Sequence, residues 1–301
     1  MESSHESRVT EDQFLGTLLG MAIGDALGRP LAGLSAGEIA STYGEITGYT
    51  GTKVHGEQET LPGEISIISE TVLCLVESLT TNDGFLDAEN INARLQFLVR
   101  GPSGHQMSPV MAAGIEAAEA QGGLVEAAGD DPAELATGAR GIPVGLLNAI
   151  GLFDGGTIET EAISVTRLSH RGEIATRPAI AVAQMVAMTA RQPQDFLAWF
   201  ERVWPGPYDD VVGDIHVIAT AVAGSGVFET GVFQVVAGGG EAQARGAIAG
   251  AIAGARFGAS GIPQELIDDL DARIYLTLAA PWFYRTALRR NGTIIDLRME
   301  Q

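Results

Sequence analysis

A chain of 301 residues, 46% hydrophobic and 19% charged, suffices for one large domain or two ordinary ones and can bury a sizeable core. Acids outnumber bases 38 to 18, for a net charge of -20; such a surface repels phosphate backbones and anionic lipid, which argues against nucleic acid and membrane as partners. The single cysteine, Cys74, excludes an intramolecular disulfide and a cysteine zinc cluster, and within VLCLVESL it reads as a small core residue.

The first residues, MESSHESRVTEDQ, are polar and contain no apolar signal core. No uninterrupted apolar run reaches the roughly 18 residues of a membrane span. The expectation is a cytoplasmic protein with a flexible stretch over 1–10 and a single all-α domain over 11–301. Thr10 is a plausible N-cap for EDQFLGTLLGMAIGDALG. Apolar spacing predicts further helices over Glu70–Leu79, Ile91–Val99 and Ser108–Gln121, the last with Ser at a cap position and Pro in its first turn. Gly141–Phe153, Arg177–Arg191, Pro193–Val203, Asp209–Gly224, Gly246–Phe257 and Pro263–Leu278 follow. Nothing resembles a βαβ alternation, so the fold class is a compact all-α multi-helix bundle.

Two segments carry glycine at every fourth position: Gly16, Gly20, Gly24 and Gly28 in the first, Gly246, Gly250, Gly254 and Gly258 in the second. Each glycine costs a helix about 1 kcal/mol against alanine. A stripe cleared of side chains lets another helix approach backbone to backbone, a contact that can outweigh this cost. The two ladders therefore predict two central helices, with GDALG and GGGEAQA brought together at one end.

Several stretches occur in an order that resembles one family. GMAIGDALGRP (Gly20–Pro30) looks like an N-terminal GxAxGDALGxP helix, and GAIAGAIAGARFGASGIP (Gly246–Pro263) like a C-terminal glycine ladder ending in IP. ETVLCLVESL fits the helix after a TDDT box, GPSGHQMSP (Gly101–Pro109) a GPrGyGxxT loop, ARGIPVGLL (Ala139–Leu147) an MRiaPlGLL segment, and Ser169-His170 a Thr-His pair. The ordered set resembles the ADP-ribosylglycohydrolases, the family of dinitrogenase-reductase-activating glycohydrolase and the ADP-ribosylarginine hydrolases. The resemblance implies an all-α fold and two divalent cations, magnesium or manganese, that activate water and bind ribose during cleavage of an ADP-ribosyl N- or O-glycosidic bond.

The ligand positions depart from that pattern. The TDDT box falls on Ser66, Ile67, Ile68 and Ser69, so isoleucine replaces both aspartates. The C-terminal GDxDT box falls on Gly240, Glu241, Ala242, Gln243 and Ala244, and the acid expected four residues past GDALG is Ala32. Hard divalent cations take oxygen ligands, so the expectation is that the metal pair is lost and that no cofactor is held. Glu64, Glu70 and the loop acids around His55, Glu57 and Glu59 could supply replacements, or the loop could be a solvated acidic surface.

Cleavage of an N-ribosyl bond passes through an oxocarbenium-like state that a carboxylate stabilises. The candidate catalytic groups are Asp25, Glu64, Glu70 and Glu241; Asp25 could instead pair with a nearby loop, and Glu241 could simply favour its helix dipole. Candidate ligand contacts are Ser66 and Ser69 of the altered box, Gly104, His105 and Ser108 of the loop that by resemblance cradles a diphosphate, and Arg140, His170 and Gln243. Arg140 could equally pair with an acid, His170 could be structural, and His216 reads as a helix or core residue. Three functions stay open: a metal-independent hydrolase of an N-ribosyl bond in an ADP-ribosyl or nucleotide-like substrate, a non-catalytic ADP-ribose or nucleotide binder, and a scaffold repurposed for other chemistry on a small metabolite. The partner in each case is a small nucleotide-derived ligand.

Overall fold

The computed structural model describes residues 9–53, 59–208 and 210–293. Its helices are α1 (Glu11–Gly28), α2 (Ala36–Tyr43), α3 (Ile67–Thr81), α4 (Ala88–Arg100), α5 (Pro109–Glu119), α6 (Leu135–Gly138), α7 (Gly141–Asn148) and α8 (Gly155–Thr166). The second half supplies α9 (Glu173–Arg191), α10 (Phe196–Val203), α11 (Asp210–Gly224), α12 (Phe228–Val236), α13 (Ala242–Phe257), α14 (Gln264–Asp268) and α15 (Arg273–Arg290). Two short strands, β1 (Thr52–Lys53) and β2 (Glu59–Thr60), pair antiparallel with Thr52 opposite Thr60. The all-α expectation holds apart from this hairpin. No helix among the described residues is long and apolar enough to cross a membrane.

The two glycine ladders form the axis of the bundle. Helices α1 and α13 run antiparallel with their backbones in contact. A Cβ added at Gly20 would stand 2.2 Å from the carbonyl oxygen of Gly250, and one added at Gly24 only 1.9 Å from that of Gly246. A Cβ on Gly28 would meet the carbonyl oxygen of Ala242 at 2.1 Å. These distances leave room for hydrogen alone, which is why glycine is used despite its helix cost. Thr10 caps α1 in a reciprocal capping box with Gln13. The Gln13 amide also donates to the carbonyls of Ala190 in α9 and Ala255 in α13, tying the axis to the long buried helix beside it.

The other expected helices are present, with shifted ends. The segment read as Gly141–Phe153 stops at Asn148, because Gly151 turns the chain at φ +81°. Pro263–Leu278 is two helices rather than one: α14 ends at Asp268, and α15 starts at Arg273 and continues to Arg290 through Pro281. Helices α2, α6, α8 and α12 carried no sequence expectation. The expected flexible stretch lies mostly in residues 1–8, outside the described residues. Within it, Val9 is buried and its carbonyl accepts from the Tyr284 hydroxyl.

Candidate functional site

A cleft of about 570 Å³ opens where the site end of the glycine axis meets α3, α5 and α6. One wall comes from the start of α13, with Gly240, Glu241, Gln243 and Ala244, joined by Ala32 and Gly33 just past α1. Two backbone bonds hold these pieces together: Gly33 N donates to Gly240 O and Gly240 N donates to Leu34 O, each at 2.8 Å. Gly239 and Gly240 both have positive φ, and a Cβ on Gly239 would meet Leu34 O at 2.1 Å. The expected meeting of GDALG and GGGEAQA is therefore realised. Ile67, Ile68 and Thr71 of α3 and Gln106, Met107, Ser108 and Met111 at the head of α5 form the facing wall. Glu134 and Arg140 close the inner end.

Asp25 does not reach this space. It is fully buried and accepts four hydrogen bonds, from Ser66 N at 2.8 Å, Ser66 Oγ at 2.6 Å, Ser69 N at 3.3 Å and Ser69 Oγ at 2.5 Å. Ser66 Oγ itself accepts from Ile68 N, so its proton points to Asp25. Burial raises the Asp25 carboxyl above its ordinary range, against the lowering effect of the Ser66 and Ser69 bonds. The carboxylate sits at the amino-terminal end of α3, whose free amides and dipole favour negative charge. Asp25, Ser66 and Ser69 thus tie α1 to the start of α3, and none of the three lines the cleft.

Glu64 and Glu70 are also displaced from the expected site. Glu64 pairs with Arg29 at 3.0 Å and accepts from Leu61 N, while Arg29 donates to Ile65 O. This clamp fixes the approach to α3. Burial raises the Glu70 carboxyl; a bond from Ser103 and the charge of Arg29 oppose this, and the charges of Asp25 and Glu64 add to it. Neither glutamate lines the cleft. His105 points out to solvent, its Nδ1 lying 2.7 Å from Pro102 O. The 3₁₀ turn over Gly104–Gln106 instead presents Gln106, which accepts from Ile67 N at 3.1 Å. Gly104 packs against the Val99 carbonyl, away from the cleft. The loop acids near His55 and Glu57 lie outside the described residues.

Four of the expected site residues line the cleft: Ser108, Arg140 and Gln243 from the ligand contacts and Glu241 from the catalytic candidates. They are joined by Glu134, which the sequence hid inside the acidic loop GDDPAE. Ser108 caps α5 by accepting from Met111 N and donates to Glu134 Oε2 at 2.8 Å. Behind Glu134 lies His170, fully buried, with Nε2 3.3 Å from Glu134 Oε2 but out of line for a direct hydrogen bond. Its Nδ1 lies 2.7 Å from Ser169 Oγ. Ser169 Oγ also accepts from Arg140 Nη1 at 2.7 Å. His170 thus lies behind Glu134 and Arg140, and it is not among the residues that line the cleft. His216 pairs with Glu201 at 2.9 Å on the bundle surface.

Electrostatics separates the two cleft carboxyls. Burial acts to raise Glu134, but the interactions with His170 and Ser108 and the charge of Arg140 outweigh it and hold the group below its ordinary range. Glu241 is raised, by partial burial first and then by the negative charges of Asp214 and Glu134, with Arg245 opposing. Burial pulls the Arg140 guanidinium down to about 10, partly offset by Glu134, so it stays cationic at neutral pH. At the positions where the resemblance implies metal-ligating aspartates, Ile67 and Ile68 present hydrocarbon. Among the described residues no group of three or more His, Cys, Asp or Glu side chains is arranged to hold a metal ion.

The all-α bundle on paired glycine ladders, with a cleft at their shared end, has a counterpart among solved structures. A solved structure titled ADP-ribosylglycohydrolase-related protein complex superposes with a TM-score of 0.72 at 24% identity, covering 92% of this chain and 98% of that one. The family model for ADP-ribosylglycohydrolase matches residues 6–292, and the chain belongs to that family. It is 25% identical over 277 residues to the ADP-ribosyl-[dinitrogen reductase] glycohydrolase of Rhodospirillum rubrum, covering 87% of this chain and 92% of that protein. It is 26% identical to an uncharacterized protein of Archaeoglobus fulgidus, covering 93% and 98%.

Proposed function

We propose that the protein is a hydrolase of an N-ribosyl bond in an ADP-ribosyl or nucleotide-like substrate, acting in the cytoplasm without the metal pair of its family. The observation that carries this reading is the exchange of donors in the cleft. Ile67 and Ile68 occupy the wall where the resemblance implies metal ligands, and Glu134 and Glu241 face the same space. Two carboxyls whose surroundings push their proton affinities apart suit an acid and base pair. Glu134, ionised and fixed by Ser108, stabilises positive charge on the ribose ring and takes a proton from the attacking water. Glu241, with its higher proton affinity, protonates the departing nitrogen of a guanidino leaving group, whereas a pyridinium departs as a neutral base and needs no proton. The C–N bond breaks as the water oxygen bonds to the anomeric carbon.

Incubation with NAD, ADP-ribosyl-arginine and nicotinamide nucleosides, with chromatography of the released base, tests this. Release that survives EDTA, is lost in Glu134→Gln for every substrate and is lost in Glu241→Gln for ADP-ribosyl-arginine supports it; nicotinamide, which departs neutral without a proton, is released by Glu241→Gln. Release that EDTA abolishes and manganese restores refutes metal independence. ADP-ribose binding without any release would leave a binding protein. The apolar lining of Ile67, Ile68, Met107 and Met111 favours a second reading, in which the scaffold works on a less polar metabolite; failure to bind any nucleotide supports it.

A further inference from the structure

Two polar groups in the cleft wall are buried and unsatisfied. Thr71 Oγ1 and Arg140 Nη2 have no hydrogen-bond partner among the described residues, and their residues are only 2% and 1% exposed. Both residues line the cleft. Buried polar groups are nearly always paired in native proteins, so an orphan in a cavity wall marks a place where a ligand or water belongs. The guanidinium can only donate, and a threonine hydroxyl can donate as well. Glu134 does not take up either group: its Oε2 accepts from Ser108 Oγ and lies 3.3 Å from His170 Nε2, and neither Thr71 Oγ1 nor Arg140 Nη2 bonds to it.

We propose that Thr71 and Arg140 together seat an anionic oxygen of the ligand, a carboxylate or a phosphate, at the inner end of the cleft. This deepens the reading of the cleft as a ligand site and rests on it. A charged acceptor answers both the unfilled donors and the cationic guanidinium, which a neutral hydroxyl does not. The apolar side chains of Ile67, Ile68 and Met111 nearby lower the local polarity and strengthen that attraction.

The test is calorimetric titration of wild type, Thr71→Val and Arg140→Lys with ADP-ribose, ribose 5-phosphate and ribose, with thermal melts alongside. Ribose 5-phosphate should bind at least about tenfold more tightly than ribose. Thr71→Val should weaken ribose 5-phosphate about tenfold yet melt at or above wild type, because it removes a hydroxyl that has no partner in the folded protein. Arg140→Lys, which keeps the charge but loses the planar fork, should weaken binding too. Equal binding of ribose and ribose 5-phosphate, or wild-type affinity in Thr71→Val, overturns the proposal. If no ribosyl compound binds wild type, inorganic phosphate and succinate are titrated against the melting temperature. Stabilisation of wild type by either anion, lost in Thr71→Val, keeps the anion seat while the ribosyl reading falls, and shows which oxygen chemistry fits. Absence of stabilisation by both overturns the seat as well.

Discussion

Gly24→Ala tests the packing on which the cleft is built. The new Cβ would stand 1.9 Å from the carbonyl oxygen of Gly246 and 2.5 Å from its carbon, whereas ordinary contact begins at 3.4 Å. The two backbones must therefore part by about 1.5 Å along that line, and no flexible side chain can yield in their place. Even a gap of about 0.5–1 Å forfeits roughly a quarter to a half of the dispersion attraction across a contact. Overpacking a tight core costs about 1–3 kcal/mol, and the opposing backbone puts this site at the top of that range. Alanine returns about 1 kcal/mol of helix propensity, which leaves a net loss of about 2 kcal/mol. At about 2–4 °C per kcal/mol, the melting temperature should fall by about 4–8 °C. Gly37→Ala in α2 is the control, since a Cβ there meets nothing within 4 Å and only the propensity gain remains. Thermal unfolding of the two variants decides the matter: a Gly24→Ala protein melting at or above wild type would show that the ladder does not serve close helix approach.

Asp25→Asn should destabilise by about 3 kcal/mol, because an amide cannot accept all four bonds from Ser66 and Ser69 and charged acceptors are worth about 1.5–3 kcal/mol each; urea midpoints measure it, and a loss near zero would refute the anchoring role. Glu134→Gln should melt below wild type at neutral pH. Because the Glu134 carboxyl is lowered in the folded protein, its contribution is present above the unfolded-state value and lost as pH falls through the folded one. The gap between variant and wild type should therefore close on acidification, and melts across that range should show it; a gap that widens refutes the assignment. His105→Ala should leave ADP-ribose affinity unchanged by calorimetry, while Gln106→Ala, which removes a cleft side chain and the partner of Ile67 N, should weaken it; equal losses in both would refute the outward placement of His105.

Local physics wrote much of the fold into the sequence. Spacing of four placed both glycine ladders on helix stripes, and Thr10 and Ser108 marked helix starts because their side chains accept from amides a few residues on. The ordered motifs carried the family, and Ile67 and Ile68 could be put at the altered box by counting alone. Helices α2 and α8 escaped because their glycine, serine and threonine content blurs the apolar period that marks a helix, and α12, FETGVFQVV, because a short run rich in valine and phenylalanine also fits a strand. Tertiary structure alone decided which acids face the cleft. Asp25 and Ser66 are 41 residues apart and Ser108 and Glu134 are 26 apart, so no local pattern could show that Asp25 is spent on anchoring α3 or that Glu134 sits opposite Glu241. Periodicity reports which face of an element is buried. Whether a buried carboxylate meets donors from its own scaffold or opens onto a ligand cavity depends on contacts between distant segments, and these exist only once α1 and α13 have closed on each other.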